Sequence, residues 1–464
     1  MKKNKLTWVQ WVGLILVGLV GQLAWVIENN QINLWVYSQT HDAGYVNWMT
    51  TASAIMATVT TFLMGALSDK LGKRKIFICG GYMIWGVTVF LFGLISYQNM
   101  SIVFPMVSAS IMVGVMMVIM DCMMTFFGST ANDACFNAYV TDTTNPENRG
   151  KVESVLSILP LVANILIVGA LMVFGATSLP EKPTDLETDA ASVAPAWFYF
   201  FLAFGILVFL AGLAAIWLLP KEEKKPKPDQ KYWASLIYGF RPKVIKDNKK
   251  FYIALLTFMA FNTAVDAFLP YYMIYFQNET SAGGLGYSGD NIIYFYVALL
   301  TILLCASIVT IIIGYFMEKI GKMKLLFTAL GLSILGFLLM YFAKDVVFVT
   351  ISGFLMMTGY LIGTAVLGAI LRNETPVNEV GLFQGVRMIF AVMLPMIIGS
   401  NISTLIFNLS GGTYFDSGMQ QTMTAPNSNM FLVSLGFMVV AIAPSIWLLK
   451  VSQKEPDLKE GTKQ

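Results

Sequence analysis

The sequence predicts an all-α polytopic membrane protein of 12 transmembrane helices arranged as two six-helix repeats. Three observations predict it. Apolar runs have bilayer-spanning length, Lys and Arg crowd onto alternate loops, and a charged loop pattern returns 249 residues after its first occurrence. Only 12% of the residues are charged and 56% are hydrophobic, whereas a soluble chain carries ~25% charge. Too little polar material is present to cover a globule, so most of the surface is expected to face lipid.

A hydrocarbon core of ~30 Å takes about 20 helical residues. Runs that meet this lie near 8–38, 45–68, 75–97, 103–140, 152–175, 196–219, 251–276, 290–317, 324–343, 346–371, 380–407 and 430–449. The longer ones must tilt, kink or pass beyond the membrane surface. No turn signal or charge cluster divides 103–140, which therefore reads as one span. The first run is too long and too polar in its second half for a cleaved signal peptide and is kept as the first helix.

Of 30 Lys and Arg residues, 27 fall on loops of one side, Lys182 and Lys344 fall on the other, and Arg387 lies inside a span. The positive-inside rule then places both termini in the cytoplasm of a multi-pass cell-membrane protein. The acidic loop 176–195 lies outside. Net charge of +3 reflects this orientation and gives no support to a nucleic-acid partner. Cys79, Cys122, Cys135 and Cys305 all sit within spans, in neither a disulfide nor a zinc pattern. His41 is the sole histidine and lies in an outer loop. No nucleophile constellation emerges, so an enzyme is not expected, nor is a cofactor.

The segment 220–250, rich in Lys and Pro, reads as an extended cytoplasmic linker. It separates an N-terminal half, 1–219, from a C-terminal half, 251–464. Each half carries the same loop between its second and third spans: GALSDKLGKRK at 65–75 and GYFMEKIGKMK at 314–324. Gly65 and Gly314, Asp69 and Glu318, Lys70 and Lys319, and Gly72 and Gly321 correspond. A parallel six-plus-six repeat is an arrangement of secondary transporters. The glycines permit a tight turn, the acids can pair across helix ends, and the basic residues anchor the loop in the cytoplasm.

Ionisable residues inside spans are costly and mark functional sites by default. Here they are Glu28, Asp121, Asp133, Asp266 and Arg387. On the first helix Gln22, Trp25, Asn29 and Asn33 fall within about 80° of arc, flanked by Tyr37, with Glu28 and Asn30 on the shoulders. On the fourth, Thr130, Asp133, Asn137 and Thr141 share a face, while Asp121 projects away and reads equally well as a structural carboxylate. Asn262 and Asp266 lie together on the seventh, above a Pro270 that can bend it. Gln384 and Arg387 are one turn apart on the eleventh. Arg387 is expected to pair with Asp133, Glu28 or Asp266. Inter-helix hydrogen bonding is the competing reading for the amides. Amides, carboxylates, one arginine and aromatic rings together compose a site suited to sugars, with other polar solutes also accommodated. The substrate-binding set is Trp25, Glu28, Asn29, Asn33, Asn137, Asp266, Gln384 and Arg387.

The loop at 65–74 resembles the cytoplasmic motif of the major facilitator superfamily, G-x-x-x-D-(R/K)-x-G-(R/K)-(R/K), at every specified position. The resemblance implies that superfamily's fold and a gating role for Gly65, Asp69, Gly72 and Arg74, with Glu318 and Gly321 in the second copy. DACFNAYVTDTTNPENRGKVESV at 133–155 resembles the fourth-helix region of the glycoside–pentoside–hexuronide cation symporters, the melibiose permease-like family. That likeness implies a cation-coupling role for Asp133 and Thr130, and a loop role for Arg149. The sequence departs from the melibiose permease branch at Ala57 and Thr61, which stand where it has two cation-binding aspartates, and at Asn137, which replaces a sugar-stacking tryptophan. Stacking then falls to Trp25 or Tyr37, and proton coupling through Asp133 or Glu28, or uniport, stays open.

The expected protein is a monomeric secondary active transporter moving a sugar or glycoside by alternating access, coupled to H+ or Na+ and surrounded by membrane lipid. The alternatives are a drug or lysolipid transporter of the same fold, disfavoured by the first-helix amides, and a transport-dead membrane sensor, disfavoured by the lack of an output domain.

Overall fold

The computed structural model describes residues 6–144, 152, 155–156, 158–177, 185–220, 239–278, 280, 283–375, 380–410, 413–416 and 421–454. Twelve helical segments succeed one another among them. They are α1 (Trp8–Thr40), α2 (Ala43–Leu71), α3 (Arg74–Phe92), α4 (Ala109–Val140), α5 (Leu159–Phe174) and α6 (Leu186–Leu218), then α7 (Lys249–Asp266), α8 (Ile292–Tyr315), α9 (Lys322–Phe342), α10 (Val346–Glu374), α11 (Gly385–Leu409) and α12 (Asn429–Lys454). Nine are long and apolar enough to span a membrane. The exceptions are Thr-rich α2, α5 with 16 residues, and α7, which stops at Asp266 and resumes as a short helix over Tyr272–Gln277. Outward residues such as Ile308, Ile311 and Ile312 of α8 are exposed, as lipid contact requires.

Among the boundaries that differ from the hydropathy reading are those of the fourth and sixth spans. A separate short helix, Tyr97–Val103, precedes α4, so the fourth span starts at Ala109. The sixth begins at Leu186, inside the expected outer loop. Asp185 caps it by accepting from Thr188 N at 3.1 Å, and Glu187 and Asp189 occupy the first turn, where the helix dipole favours acids.

Three helices contain π-helical turns, over Ile27–Gln31 in α1, Ser129–Phe136 in α4 and Ile389–Met393 in α11. Each inserted residue rotates everything after it and frees backbone carbonyls. A regular helical wheel therefore does not carry across them.

The described chain forms two compact units. The first comprises Met1–Asp229 with Leu269–Tyr296 and Gly411–Asn427. Its core holds Trp35, Trp85, Trp197, Tyr82 and Phe201. Small residues let α3 and α6 touch: a Cβ on Gly86 would lie 2.5 Å from Phe209 N and 2.6 Å from Gly205 O. Segment 269–296 is tied in by Asn278 Nδ2, which donates to Tyr37 Oη at 2.8 Å. An antiparallel hairpin, β1 (Thr413–Asp416) with β2 (Gln421–Thr424), also belongs to this unit, in the register Thr413 to Thr424. It is the one departure from an all-helical chain among the described residues. The second unit comprises Gln230–Phe268, Val297–Ser410 and Ser428–Gln464. There Gly336 and Gly359 bring α9 and α10 together, with a Cβ on Gly336 meeting Met356 N at 2.4 Å.

At the α1–α2 turn His41 takes a left-handed conformation, φ 52°, and its Nε2 lies 3.7 Å from Asp189 Oδ2. Asp42 next to it caps α2, accepting from Gly44 N at 2.9 Å and from Thr424 N at 3.2 Å. Burial pushes the Asp42 carboxyl above its usual 3.8, against the opposing pull of those hydrogen bonds. A carboxyl raised in the folded state favours folding while protonated, and that contribution is lost as pH rises through the folded value. The apparent Tm of the purified protein should therefore carry a downward component as pH climbs out of the usual carboxylate range. Asp42→Asn, which keeps both acceptor bonds, should remove that component in a melt series over pH. An unchanged pH profile would show that Asp42 contributes nothing.

Candidate functional site

In the first unit the polar half of α1 starts at its π-helical turn. Asn29 Nδ2 donates to Trp25 O at 2.8 Å and Asn33 Nδ2 to Asn29 O at 2.7 Å. The amides thus satisfy carbonyls loosened by the turn, and their Oδ1 atoms are what they can offer a solute. Asn30 and Gln31 are buried, with Oδ1 and Oε1 lacking a hydrogen-bond partner. Trp25 is half-buried, packs against Trp85 with centroids 5.1 Å apart and the rings tilted by 58°, and donates from Nε1 to Asn132 Oδ1 at 3.3 Å. Asn132 Nδ2 in turn donates to Tyr82 Oη at 2.7 Å, and Tyr82 to Val17 O at 2.8 Å. Tyr37, the other stacking candidate, is 2% exposed.

Helix α4 supplies the facing acids. Asp133 is half-buried and accepts from Ser129 Oγ at 3.1 Å. Thr130 is buried, its hydroxyl donating to Phe126 O at 2.7 Å. Asn137 is exposed, with Nδ2 donating to Asp133 O at 3.2 Å. Glu28 of α1 is buried, and its Oε1 lies 2.7 Å from Thr125 Oγ1. Asp121, one turn before Thr125, is buried as well and takes a hydrogen bond from Ser53 of α2. Asp121 and Asp133 both act on Glu28 electrostatically, Asp121 the more strongly. The polar stretch of α1, Glu28, Asp133 and Thr130 are therefore gathered in one unit. Asn132, Thr125, Ser129 and Ser53 join them without having been singled out in the sequence.

In the second unit Asp266 is half-buried at the end of the first piece of α7, and residues 267–271, with Pro270, form the break. Asn262 Nδ2 donates to Ala391 O at 2.6 Å, a carbonyl inside the π-helical turn of α11. Ser403 Oγ donates to Ala267 O at 2.6 Å, satisfying the break from α11. Arg387 is half-buried on α11 and forms no ion pair with Asp266, so that one of its three expected pairings is absent. The side chain of Gln384 falls outside the described residues.

At the loop between α2 and α3, Gly72 ends α2 in the left-handed conformation, φ 57°. Arg74 opens α3, is buried, and is ion-paired with Asp142, two residues past the end of α4. Gly65 lies against Ala134. In the second copy Gly321 has φ 95° and ψ 128°, again a conformation suited to glycine. The side chains of Asp69 and Glu318, and all of Arg149, lie outside the described residues.

A family model described as Major Facilitator Superfamily matches residues 11–400. The chain belongs to the Major Facilitator Superfamily. Solved superfamily folds agree. The nucleoside transporter NupG, as a point mutant, aligns with TM-score 0.69 at 12% identity over 95% of this chain and 99% of its own. Unmutated NupG gives 0.65 at 12% over 96% and 99%. A bacterial homolog of the human lysosomal transporter Spinster, inward-facing and unoccupied, gives 0.65 at 12% over 97% and 99%. At such identity these likenesses show the fold. No curated protein matches the chain by sequence. As a superfamily member it is a multi-pass membrane protein of transporter fold, and the melibiose permease-like subfamily remains an inference from 133–155.

Proposed function

We propose that this superfamily member is a secondary active carrier for a sugar or glycoside, coupled to a cation and working by alternating access of its two six-helix halves. The reading is carried by the π-helical turn of α1, where Glu28, Asn29, Asn30 and Gln31 concentrate in what would be mid-membrane, with Asn33 just after it. A hydroxylated solute needs many donors and acceptors, and the partnerless acceptors of Asn30 and Gln31 are costly unless something donates to them. Trp25, backed by Trp85, supplies an aromatic face. Nucleosides, the solutes of NupG by its name, carry the same kind of hydroxylated ring. Asp133, the more accessible acid of α4, is assigned to coupling with Thr130 beside it. Gly65, Asp69, Gly72 and Arg74, with Glu318 and Gly321, are assigned to gating, the pair of buried Arg74 with exposed Asp142 being the contact that such a gate can make and break. The protein is taken to act as a monomer in the cell membrane with cytoplasmic termini.

The first experiment is thermal stabilisation of the purified carrier by mono- and disaccharides, glycosides, uronates and nucleosides, with sodium, with potassium, and at two pH values. A ligand at 100 times its Kd adds about 2.7 kcal/mol to the folded state, so weak binders register at high concentration. A sugar hit supports the reading. A melt that moves only with lipids or drugs overturns it.

Arg387 is the cation assigned to the solute in the second unit. Arg387→Ala should abolish the stabilisation by that sugar while leaving the unliganded Tm near the parent value, since no described ion pair is lost. Undiminished affinity at normal expression would remove Arg387 from the site.

A further inference from the structure

The hydroxyl of Thr125 stands between two oxygens, Glu28 Oε1 at 2.7 Å and the Asp121 carbonyl oxygen at 2.8 Å. A threonine hydroxyl has one proton to donate. Neither a carbonyl nor an ionised carboxylate can donate, so both contacts are filled at once only when the Thr125 proton goes to the carbonyl, as is usual for threonine within a helix, and Glu28 is protonated. The short contact to Glu28 then needs a proton of its own, and only the Glu28 carboxyl can carry it. The chain of donation runs from Glu28 O–H to Thr125 Oγ1, and from Thr125 O–H to Asp121 C=O.

The other oxygens agree. Glu28 Oε2 and Asp121 Oδ1 are buried without a hydrogen-bond partner, and the two residues are 6% and 2% exposed. A buried carboxylate with a bare oxygen is costly, whereas a neutral acid tolerates it far better. The charged groups acting on Glu28 are Asp121 and Asp133, both acids of α4. Cys122 lies within reach of the same two carboxyls, Glu28 and Asp121. From α2 the partner is the neutral hydroxyl of Ser53, on Asp121. With acids and no cation among the groups acting on Glu28, a charge on both Glu28 and Asp121 is disfavoured. Among the described residues no group of three or more His, Cys, Asp or Glu is placed to hold a metal ion, which favours a proton over a chelated cation.

We propose that Glu28, joined through Thr125 to Asp121, is a proton-binding site spanning α1, α2 and α4, and that this proton drives the carrier. Asp133, half-exposed where Glu28 is buried, is then the acid through which the proton enters or leaves, and Glu28 is where it is kept. The driving role rests on the carrier reading given above. The location of the proton does not, and the two are tested separately.

Infrared difference spectroscopy on the substrate-free, full-length protein reads the C=O stretch of a protonated carboxyl directly. The band is expected at neutral pH in the parent, absent in Glu28→Gln, present in Asp133→Asn, and moved to higher frequency in Thr125→Val, which removes the hydroxyl but keeps the volume. A band lost in Asp133→Asn and kept in Glu28→Gln would overturn the assignment. So would a band abolished by sodium at unchanged pH, which would make the pair a sodium site. Proteoliposomes with an imposed pH gradient test the role. Glu28→Gln should lose pH-driven accumulation of whichever sugar stabilises the parent, and undiminished accumulation would show the proton to be purely structural. Should the parent accumulate nothing, the carrier reading falls while the infrared result still decides where the proton sits.

Discussion

Asp133→Asn should abolish uphill accumulation of solute while leaving exchange of labelled for unlabelled solute in place. Exchange carries solute in both directions across a loaded carrier and needs no net ion movement. Accumulation needs the ion gradient to be coupled to the solute, and coupling is a free energy between two sites. With one proton per solute, a gradient of one pH unit is worth about 1.4 kcal/mol, or about tenfold accumulation. Asparagine preserves the acceptor for Ser129 Oγ and nearly preserves the volume, so packing within the π-helical turn of α4 should survive. What disappears is the ionisable group and its electrostatic hold on Glu28. The inside-to-outside ratio in proteoliposomes should fall to about one, with exchange retained at a substantial fraction of the parent rate. Undiminished uphill uptake would remove Asp133 from coupling. Loss of exchange as well would move Asp133 from the ion path to the solute.

Much of this arrangement is legible in the sequence. The helices and the paired loops follow from length and the glycine pattern, because the bilayer leaves the chain few choices. The positive φ angles at Gly72 and Gly321 are the physical content of that pattern. The π-helical turns are not legible in the same way. Composition does not record one extra residue in a turn, so a face computed at 100° per residue loses its bearing beyond Ile27 and Ser129. Asn29 and Asn33 read as solute ligands, yet each spends its Nδ2 on a helix carbonyl. Asp121 reads on the wheel as a carboxylate pointing elsewhere, and only the fold shows Thr125 linking its turn to Glu28. Such pairings are between helices, and no single-helix pattern contains them. Asn132 was within reach, since it sits in the polar run STANDA, but its partners Trp25 and Tyr82 come from two other helices. The hairpin at 413–424 has a signal in its Gly-Gly start and its Thr, Tyr and Phe content, overridden by the all-helical expectation.

Gly86→Leu should prevent recovery of folded protein, and neighbouring glycines explain why it is the severest of the glycine substitutions on α3. In a membrane, helices gain no hydrophobic advantage from meeting, so they associate where small residues let backbones pack closely. On α3 that place is Gly86. A Cβ there would meet Phe209 N at 2.5 Å, Gly205 O at 2.6 Å and Phe209 Cα at 2.9 Å, all backbone of α6. Backbone cannot rotate away as a side chain can. Relief requires α6 to move, and a Cβ built on Gly205 would likewise lie 2.8 Å from Gly86 O, so the contact is close from both sides. Overpacking of even a methylene costs about 1–3 kcal/mol, so Gly86→Ala should lower the apparent Tm by several degrees and the four-carbon leucine side chain should exceed what the fold can absorb. Gly80, on the same helix, has nothing within 4 Å of a built Cβ. There alanine adds only helix propensity, worth up to about 1 kcal/mol, and Gly80→Ala should hold or raise the Tm. Gly81 points at Ala131 Cβ, 2.6 Å away, and Gly81→Ala should fall between the two. Size-exclusion profiles and melts of the four variants give the ordering directly. Equal losses at Gly80 and Gly86 would mean that α3 needs glycine for its own backbone rather than for its contact with α6.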